Sequence, residues 1–265
     1  MRLATWNVNS LRVRLPQLRE WLSRNPVDLM ALQELKVTAD EFPRVELEAA
    51  GWHALINGQQ TYNGVAILSR DPAPRDIVRD IPEFEDTQRR VLAATYGELR
   101  FIAIYVPNGQ SVGSDKYLYK LKWLEALRQW LAQELERHRE LIVLGDYNIA
   151  PEDRDVHDPG LWEGSVHVSE PERAALRSLL DLGLEDLFRR FDQPPASFSW
   201  WDYRAGAFRR NRGLRIDLML ASRALAERCT GSSIDRGPRA WERPTDHAPV
   251  LASFDLPVMS NGSTS

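Results

Sequence analysis

Cysteine is nearly absent: Cys229 is the single one in 265 residues. That excludes an intramolecular disulfide and an all-cysteine zinc site, and it fits a reducing cytosol. Long apolar runs are missing too. Nothing approaches the roughly 18 consecutive apolar residues of a membrane span, and between Met1 and Ser10 the polar Asn7 and Asn9 interrupt any signal-peptide core. The expectation is a soluble, cytoplasmic chain with no membrane partner. Linkers are lacking as well, since no Gly/Ser-rich, Pro-rich or charge-block stretch longer than a few residues breaks the apolar pattern before Pro257. Residues 1–257 are therefore expected to form one domain, with 258–265 as a polar, flexible tail. Positive charge is not in excess, because the formal net charge is −4. That argues against a protein that coats nucleic acid nonspecifically through a large basic surface.

What is present begins with 43% hydrophobic residues, enough to bury a substantial core at this length. Short apolar segments of strand character recur at Leu3 to Trp6, Leu29 to Leu32, Gly64 to Leu68, Val91 to Tyr96, Phe101 to Val106, Leu141 to Leu144, Ile216 to Ala221 and Val250 to Phe254. Helical periodicity appears between some of them. Leu15, Leu18, Trp21 and Leu22 share one face; Leu121, Leu124, Leu127, Leu131 and Leu135 share another between Asp115 and His138; a third helix is expected from Glu170 to Leu182, ending at Gly183. The middle of the chain, Trp52 to Tyr105, reads as hairpins. Strict strand–helix alternation is absent, so two packed sheets with helices outside fit better than one doubly wound parallel sheet.

Polar residues stand at the ends of these strands, where loops present them and the sheets hold them still. Leu3 to Trp6 runs into Asn7 and Asn9, Leu29 to Leu32 into Gln33 and Glu34, Phe101 to Ile104 into Tyr105 and Asn108, and Leu141 to Leu144 into Asp146 and Asn148. Asp217 starts another strand, and Asp246 and His247 precede the last. Singly, each is an ordinary turn residue or loop pair. Together they supply hard oxygen ligands, a water-orienting carboxylate and donors for developing negative charge, the set that metal-assisted phosphodiester hydrolysis requires.

Seven stretches in this order carry a resemblance that covers nearly the whole chain. They are Trp6 to Arg12, Leu32 to Lys36, Tyr105 to Gly109, Gly145 to Pro151, Ser199 to Arg204, Asn211 to Asp217 and Pro244 to Val250. The sequence resembles the bacterial exonuclease III family of the endonuclease/exonuclease/phosphatase superfamily. The resemblance implies a four-layer α/β sandwich with two mixed sheets face to face. It implies a DNA-repair nuclease that cuts 5′ to abasic sites and at 3′ ends of duplex DNA, monomeric, with Mg²⁺ as cofactor and Mn²⁺ as a substitute. The implied metal set is Glu34, Asn7, Asp246, Asp146 and Asn148. The implied catalytic set is Asp146 to activate water, Asn148 to hold that water and a phosphate oxygen, His247 facing the phosphate, Asp217 orienting it, and Tyr105 on the phosphate. Asn9, Lys36, Asn108, Trp200, Arg212 and Leu214 fall at substrate-binding positions. Leu35 and Thr245 depart from residues common elsewhere in the family, without touching the chemistry.

The physical chemistry runs the same way. A phosphodiester gains negative charge during hydrolysis, which a divalent cation neutralises. An imidazole beside the Asp217 carboxylate has its pKa raised and favours imidazolium, which leaves Asp146 as the better base. Ser197 to Arg215 interleaves Trp200, Trp201, Tyr203 and Phe208 with arginines, a composition for packing on sugar or base with cations on the backbone. Of the two tryptophans, one is expected in the core and the other on a pocket wall, and the resemblance implies Trp200 for the wall. Leu214 makes the facing side less aromatic. Arg204, Arg209, Arg210, Arg212 and Arg215 are by charge alone either a solvated loop or a phosphate-contacting patch. His53, His138, His157 and His167 match no motif and are expected on surfaces or loops. Two rival readings share the metal core or the fold: a phosphodiesterase of inositol phosphates or sphingomyelin, and a nucleic-acid-binding regulator without turnover.

Overall fold

The computed structural model describes residues 1–70 and 73–256, so the expected tail at 258–265 lies outside the described residues. Strands β1 (Arg2–Asn7), β2 (Leu29–Gln33), β3 (His53–Asn57) and β4 (Val65–Ser69) open one sheet. The second sheet holds β5 (Arg75–Arg79), β6 (Val91–Tyr96), β7 (Leu99–Tyr105), β8 (Glu140–Asp146), β9 (Leu184–Asp186) and β10 (Asp217–Ser222). Finally β11 (Cys229–Ile234) and β12 (Val250–Phe254) return to the first. The orders are β11-β12-β1-β2-β4-β3 and β5-β6-β7-β8-β10-β9. This is the expected mixed sandwich. The short strands β9 and β11 escaped the sequence reading because neither carries a continuous apolar run; β11 reads Cys-Thr-Gly-Ser-Ser-Ile.

Each sheet has one parallel pair, β1 with β2 and β7 with β8. Parallel neighbours need a crossover, and helices supply it. Helix α1 (Leu11–Arg24) links the first pair, and α2 (Arg44–Glu48) follows β2. Helix α3 (Asp115–Arg137) links the second pair; α4 (Pro159–Trp162), α5 (Glu170–Leu180) and α6 (Arg223–Ala226) lie further on. Leu11, Leu18, Trp21 and Leu22 of α1 pack on the outer face of the first sheet, with Leu47 of α2. Trp123, Leu124, Leu127, Trp130 and Leu131 of α3 cover the outer face of the second, with Leu176 and Leu179 of α5. The buried face of α3 is turned from the expected one: Tyr117, Lys120, Trp123 and Trp130 are buried, while Leu121 and Leu135 are half-buried. Trp123 and Trp130 share that face with Leu124, Leu127 and Leu131, the middle of the expected leucine row. Among the described residues no helix is long and apolar enough to cross a membrane.

The period-2 alternation of strands decides where the site forms. Leu3 in β1, Leu29 and Ala31 in β2, Phe101 and Ala103 in β7, Ile142 and Leu144 in β8, and Met219 and Ala221 in β10 all face the space between the sheets. Continuing each alternation to the strand end brings Thr5 and Asn7, Gln33, Tyr105, Asp146 and Asp217 to the same inner face. The register aligns them, since Asn7 pairs with Gln33, and Asp146 pairs with both Tyr105 and Asp217. The core therefore changes from apolar to polar at one edge, at the carboxyl ends of the two parallel pairs.

Candidate active site

Asn7 joins the two sheets. Its Nδ2 donates to Glu34 Oε1 and to Asp146 Oδ2, both at 2.9 Å, while its Oδ1 accepts from the Asn9 amide at 3.0 Å. Two carboxylate oxygens can be met only by the N–H side of the amide. Asn7, expected among the metal ligands, thus stands here as the group that spaces two carboxylates. Glu34 is also paired with Lys36 Nζ at 3.0 Å, and Lys36 donates to Asn9 Oδ1 at 2.6 Å. At Tyr105, burial, then the charges of Glu34 and Asp146, raise the hydroxyl's pKa well above the ordinary phenol range.

Across the cleft stands His247. Its Nδ1 lies 2.9 Å from Asp217 Oδ2, and its Nε2 lies 3.7 Å from Asp146 Oδ2. Burial opposes charging the ring, but the carboxylates of Asp217 and then Asp146 outweigh it and raise His247 to about 10. That shift favours the imidazolium. Asp217 is itself fixed by Ser199, whose Oγ accepts from the Ile216 and Asp217 amides at 3.0 Å each. The Trp6 indole donates to the carbonyl of His247 at 3.1 Å, so the core holds the histidine from behind. Asp146 has its pKa raised by burial first and, against the pull of His247, by Asp217 and Glu34. Asn148 bonds back to it through its amide at 2.8 Å and its Nδ2 at 3.3 Å.

The backbone bends sharply around this cluster. Asn9, Glu34, Lys36 and Asn148 have φ of 42°, 51°, 56° and 50°, left-handed values that asparagine tolerates and that are uncommon for glutamate and lysine. Gly145 has φ of 151°, and a Cβ there would sit 1.9 Å from the Ile104 carbonyl oxygen. Only glycine lets β8 come this close to β7 immediately before Asp146.

Glu34, Asp146 and His247 each offer a ligand atom within 4.8 Å of the others. Two carboxylates spaced by the Asn7 amide, with buried Asp217 beside them, form an oxygen-rich edge that fits a hard divalent cation. Asp246 lies outside that cluster: it accepts from Asn9 Nδ2 and Trp200 Nε1, both at 2.9 Å. These contacts, with His247 nearby, overcome burial and hold its carboxyl below the usual range.

The two sides of the centre differ. On one, Asn108, Tyr105, Arg90, Tyr62, Gln59 and Lys116 line an open cavity of about 710 Å³. Asn108 Nδ2 donates to Asn148 Oδ1 at 3.3 Å. On the other, Trp200 is half-buried and Trp201 wholly buried, the partition that their context suggested. Three further expectations need correction. Leu214 does not surface the pocket; it is wholly buried, bridged to Trp200 and Val156, and supports the wall from behind. Arg215 leaves the arginine patch for the interior, paired with Asp155 at 2.6 Å and Asp186 at 2.7 Å, while Arg204, Arg209, Arg210 and Arg212 stay at the surface. His167 is not a surface residue. It is buried, its ring centroid is 6.5 Å from Trp200 and 6.1 Å from Trp162, and its Nδ1 donates to the Asn148 carbonyl at 2.6 Å. Burial, then the Lys120 charge, lower its pKa to about 3, so the ring is neutral. His167 and Trp162 are the site residues that sequence reasoning missed. Their one signal was two aromatic rings in a turn-rich stretch shortly after Asn148.

With this geometry in hand, comparison with known proteins is direct. A family model described as the endonuclease/exonuclease/phosphatase family matches residues 4–247. Exodeoxyribonuclease III of Haemophilus influenzae is 38% identical over 268 residues, covering 96% of this chain and 100% of that protein. Among solved structures, a 3′ phosphatase from Neisseria bound to a product DNA hairpin is 47% identical with a TM-score of 0.94, covering 97% of this chain and 100% of that one. An AP endonuclease from Archaeoglobus fulgidus is 37% identical with a TM-score of 0.93, over the same shares of the two chains. The chain belongs to the endonuclease/exonuclease/phosphatase family.

Proposed function

We propose that this protein is a divalent-metal-dependent DNA-repair nuclease, hydrolysing phosphodiester bonds 5′ to abasic sites and at the 3′ ends of duplex DNA. The observation that carries the reading is the Asn7-spaced pair of Glu34 and Asp146 facing His247, which Asp217 orients. Glu34 and Asp146 would hold the ion, with Mg²⁺ as the physiological choice because it accepts few protein carboxylates and keeps its waters. Bound there, the ion supplies charge neutralisation for the phosphate and the leaving oxygen.

The remaining work belongs to the chain's own groups. Asp146, with Asn148 beside it, orients the attacking water and accepts its proton. The protonated His247 donates to a non-bridging phosphate oxygen and stabilises the charge that builds there. Asp217 keeps the imidazolium in place, and Tyr105 and Asn108 supply neutral donors from the opposite side. Asn9 and Lys36 extend this surface along the phosphates, and Arg212 reaches the backbone beyond. All these residues come from one chain, which supports action as a monomer, and a single domain over 1–257 is the simplest container for them. A cytoplasmic place beside the chromosome follows from the substrate.

One observation weights the substrates. Trp162 and His167 pack against Trp200, so a sugar turned out of the helix beside Trp200 would meet these rings, whereas a terminal 3′ group would not need to be turned out. On this reading, removal of 3′ end groups is expected to be the faster activity, which substrate comparison tests. Abasic, recessed-end and 3′-phosphate duplexes assayed side by side with Mg²⁺, Mn²⁺ and EDTA test the reading. Turnover should need the metal and be fastest on the 3′ phosphate. No turnover on any duplex with either ion would remove the proposal, and hydrolysis of an inositol phosphate instead would favour the rival phosphodiesterase.

A further inference from the structure

Lys120 interrupts the apolar face of α3. Its side chain is wholly buried and paired with Glu172 of α5, wholly buried as well. The ammonium also donates to two backbone carbonyls, Asn148 O at 2.7 Å and Asn108 O at 3.2 Å. Each of its three protons therefore has an acceptor. Glu172 is similarly saturated: Oε1 accepts from the His167 amide at 3.0 Å, and Oε2 from the Ser169 hydroxyl at 2.5 Å and its amide at 3.3 Å. One ion pair thus gathers the loop after β7, the loop after β8 and the turn before α5.

Stability does not explain such a pair. Removing two charges from water is costly, and apolar side chains of similar volume often pack as well or better. An apolar pair, however, could not hold two peptide carbonyls. Those carbonyls belong to Asn108 and Asn148, whose side chains meet at 3.3 Å, and Asn148 reaches Asp146 through two further hydrogen bonds. Asn148 also has a left-handed backbone, with φ of 50°.

We propose that Lys120, braced by Glu172, is a positioning residue: without reaching substrate, it fixes Asn148, and through it Asp146, in the geometry that hydrolysis requires. This rests on Asp146 being the water-activating group. The experiment compares the parent protein, Lys120→Met, and Lys120→Met with Glu172→Gln, measuring melting temperature, duplex affinity in EDTA, and kcat and KM on a 3′-phosphate duplex in Mg²⁺. Lys120→Met alone leaves Glu172 buried without its cation and can fail to fold; the double variant removes that charge. In the double variant, KM and affinity should stay within about twofold while kcat falls by roughly 30-fold or more, since a small misplacement at a reacting centre costs rate rather than binding. Combined with Asp146→Asn, the double variant should add little further loss, because both act on one group. A folded double variant with kcat within about threefold of the parent, or a loss that adds in full to that of Asp146→Asn, would overturn the proposal. A double variant that does not fold would make the pair structural and overturn it too. Absence of turnover in the parent would count against the nuclease reading instead, so the two failures are distinguishable.

Discussion

The centre and the rim of this site are built on opposite principles. Asn7, Asp146, Asp217 and His247 are 0–3% exposed, stand at strand ends, and have their hydrogen bonds largely satisfied by one another. Arg204, Arg209, Arg210 and Arg212 reach the surface from turns, one of which has Ala205 at φ of 55°. On the proposed reading, the chemistry lies among buried groups bonded to one another, and recognition falls to exposed arginines that can adjust to a long polyanion. The centre should therefore answer to mutation in kcat, and the rim in KM and salt dependence.

Asp146→Asn should give the largest effect: turnover lower by roughly 10²–10⁴-fold or more, with duplex binding retained or slightly tighter as a negative charge disappears. A variant that lost binding but kept turnover per complex would erase the contrast between centre and rim. Glu34→Ala should match the defect caused by EDTA, and added Mg²⁺ should restore only the chelated parent. Near-normal rates for Glu34→Ala at low Mg²⁺ would move the ion elsewhere.

Trp200 and Trp201 sharpen the comparison because they are adjacent yet lie on either side of the boundary. Truncating Trp200 to alanine should cost about one to two powers of ten on an abasic duplex, by analogy with stacking contacts, and less on a 3′ phosphate. Trp201→Ala should instead destabilise folding by about 3–5 kcal/mol. Melting curves alongside two-substrate kinetics separate the cases, and equal losses on both substrates for Trp200→Ala would cancel its pocket role. Arg212→Ala should show the smallest effect, severalfold at most at low salt, with the slope of log affinity against log salt reduced by about one. An unchanged slope would return Arg212 to the solvated surface.

The sandwich and the strand-end residues were legible because both depend on local alternation: apolar at every second position, then a polar residue where the strand stops. Such positions need no distant partner to be read, as Ile142, Leu144 and Asp146 illustrate in a single strand. What failed depended on distant partners. Arg215 lies in an arginine-rich run, and only Asp155 and Asp186, far away in sequence, draw it inside. His167 sits in a turn-rich stretch whose packing on Trp162 and Trp200 no periodicity encodes. Lys120 was partly readable: it lies three residues after Tyr117 and four before Leu124, on the buried stripe of α3.

The Asn7 contacts cross from one sheet to the other, with Glu34 and His247 carried by the first and Asp146 and Asp217 by the second. The site is consequently split along the seam of the sandwich, and its assembly is a reading of how the two halves are aligned. Sliding one sheet past the other by less than a residue would leave every strand intact yet part the carboxylates from the imidazolium. Activity is in that sense a vernier on the inter-sheet core, whose packed residues, from Leu3 and Phe101 to the small Ala31, Ala94, Ala103 and Ala252, lie outside the polar cluster itself.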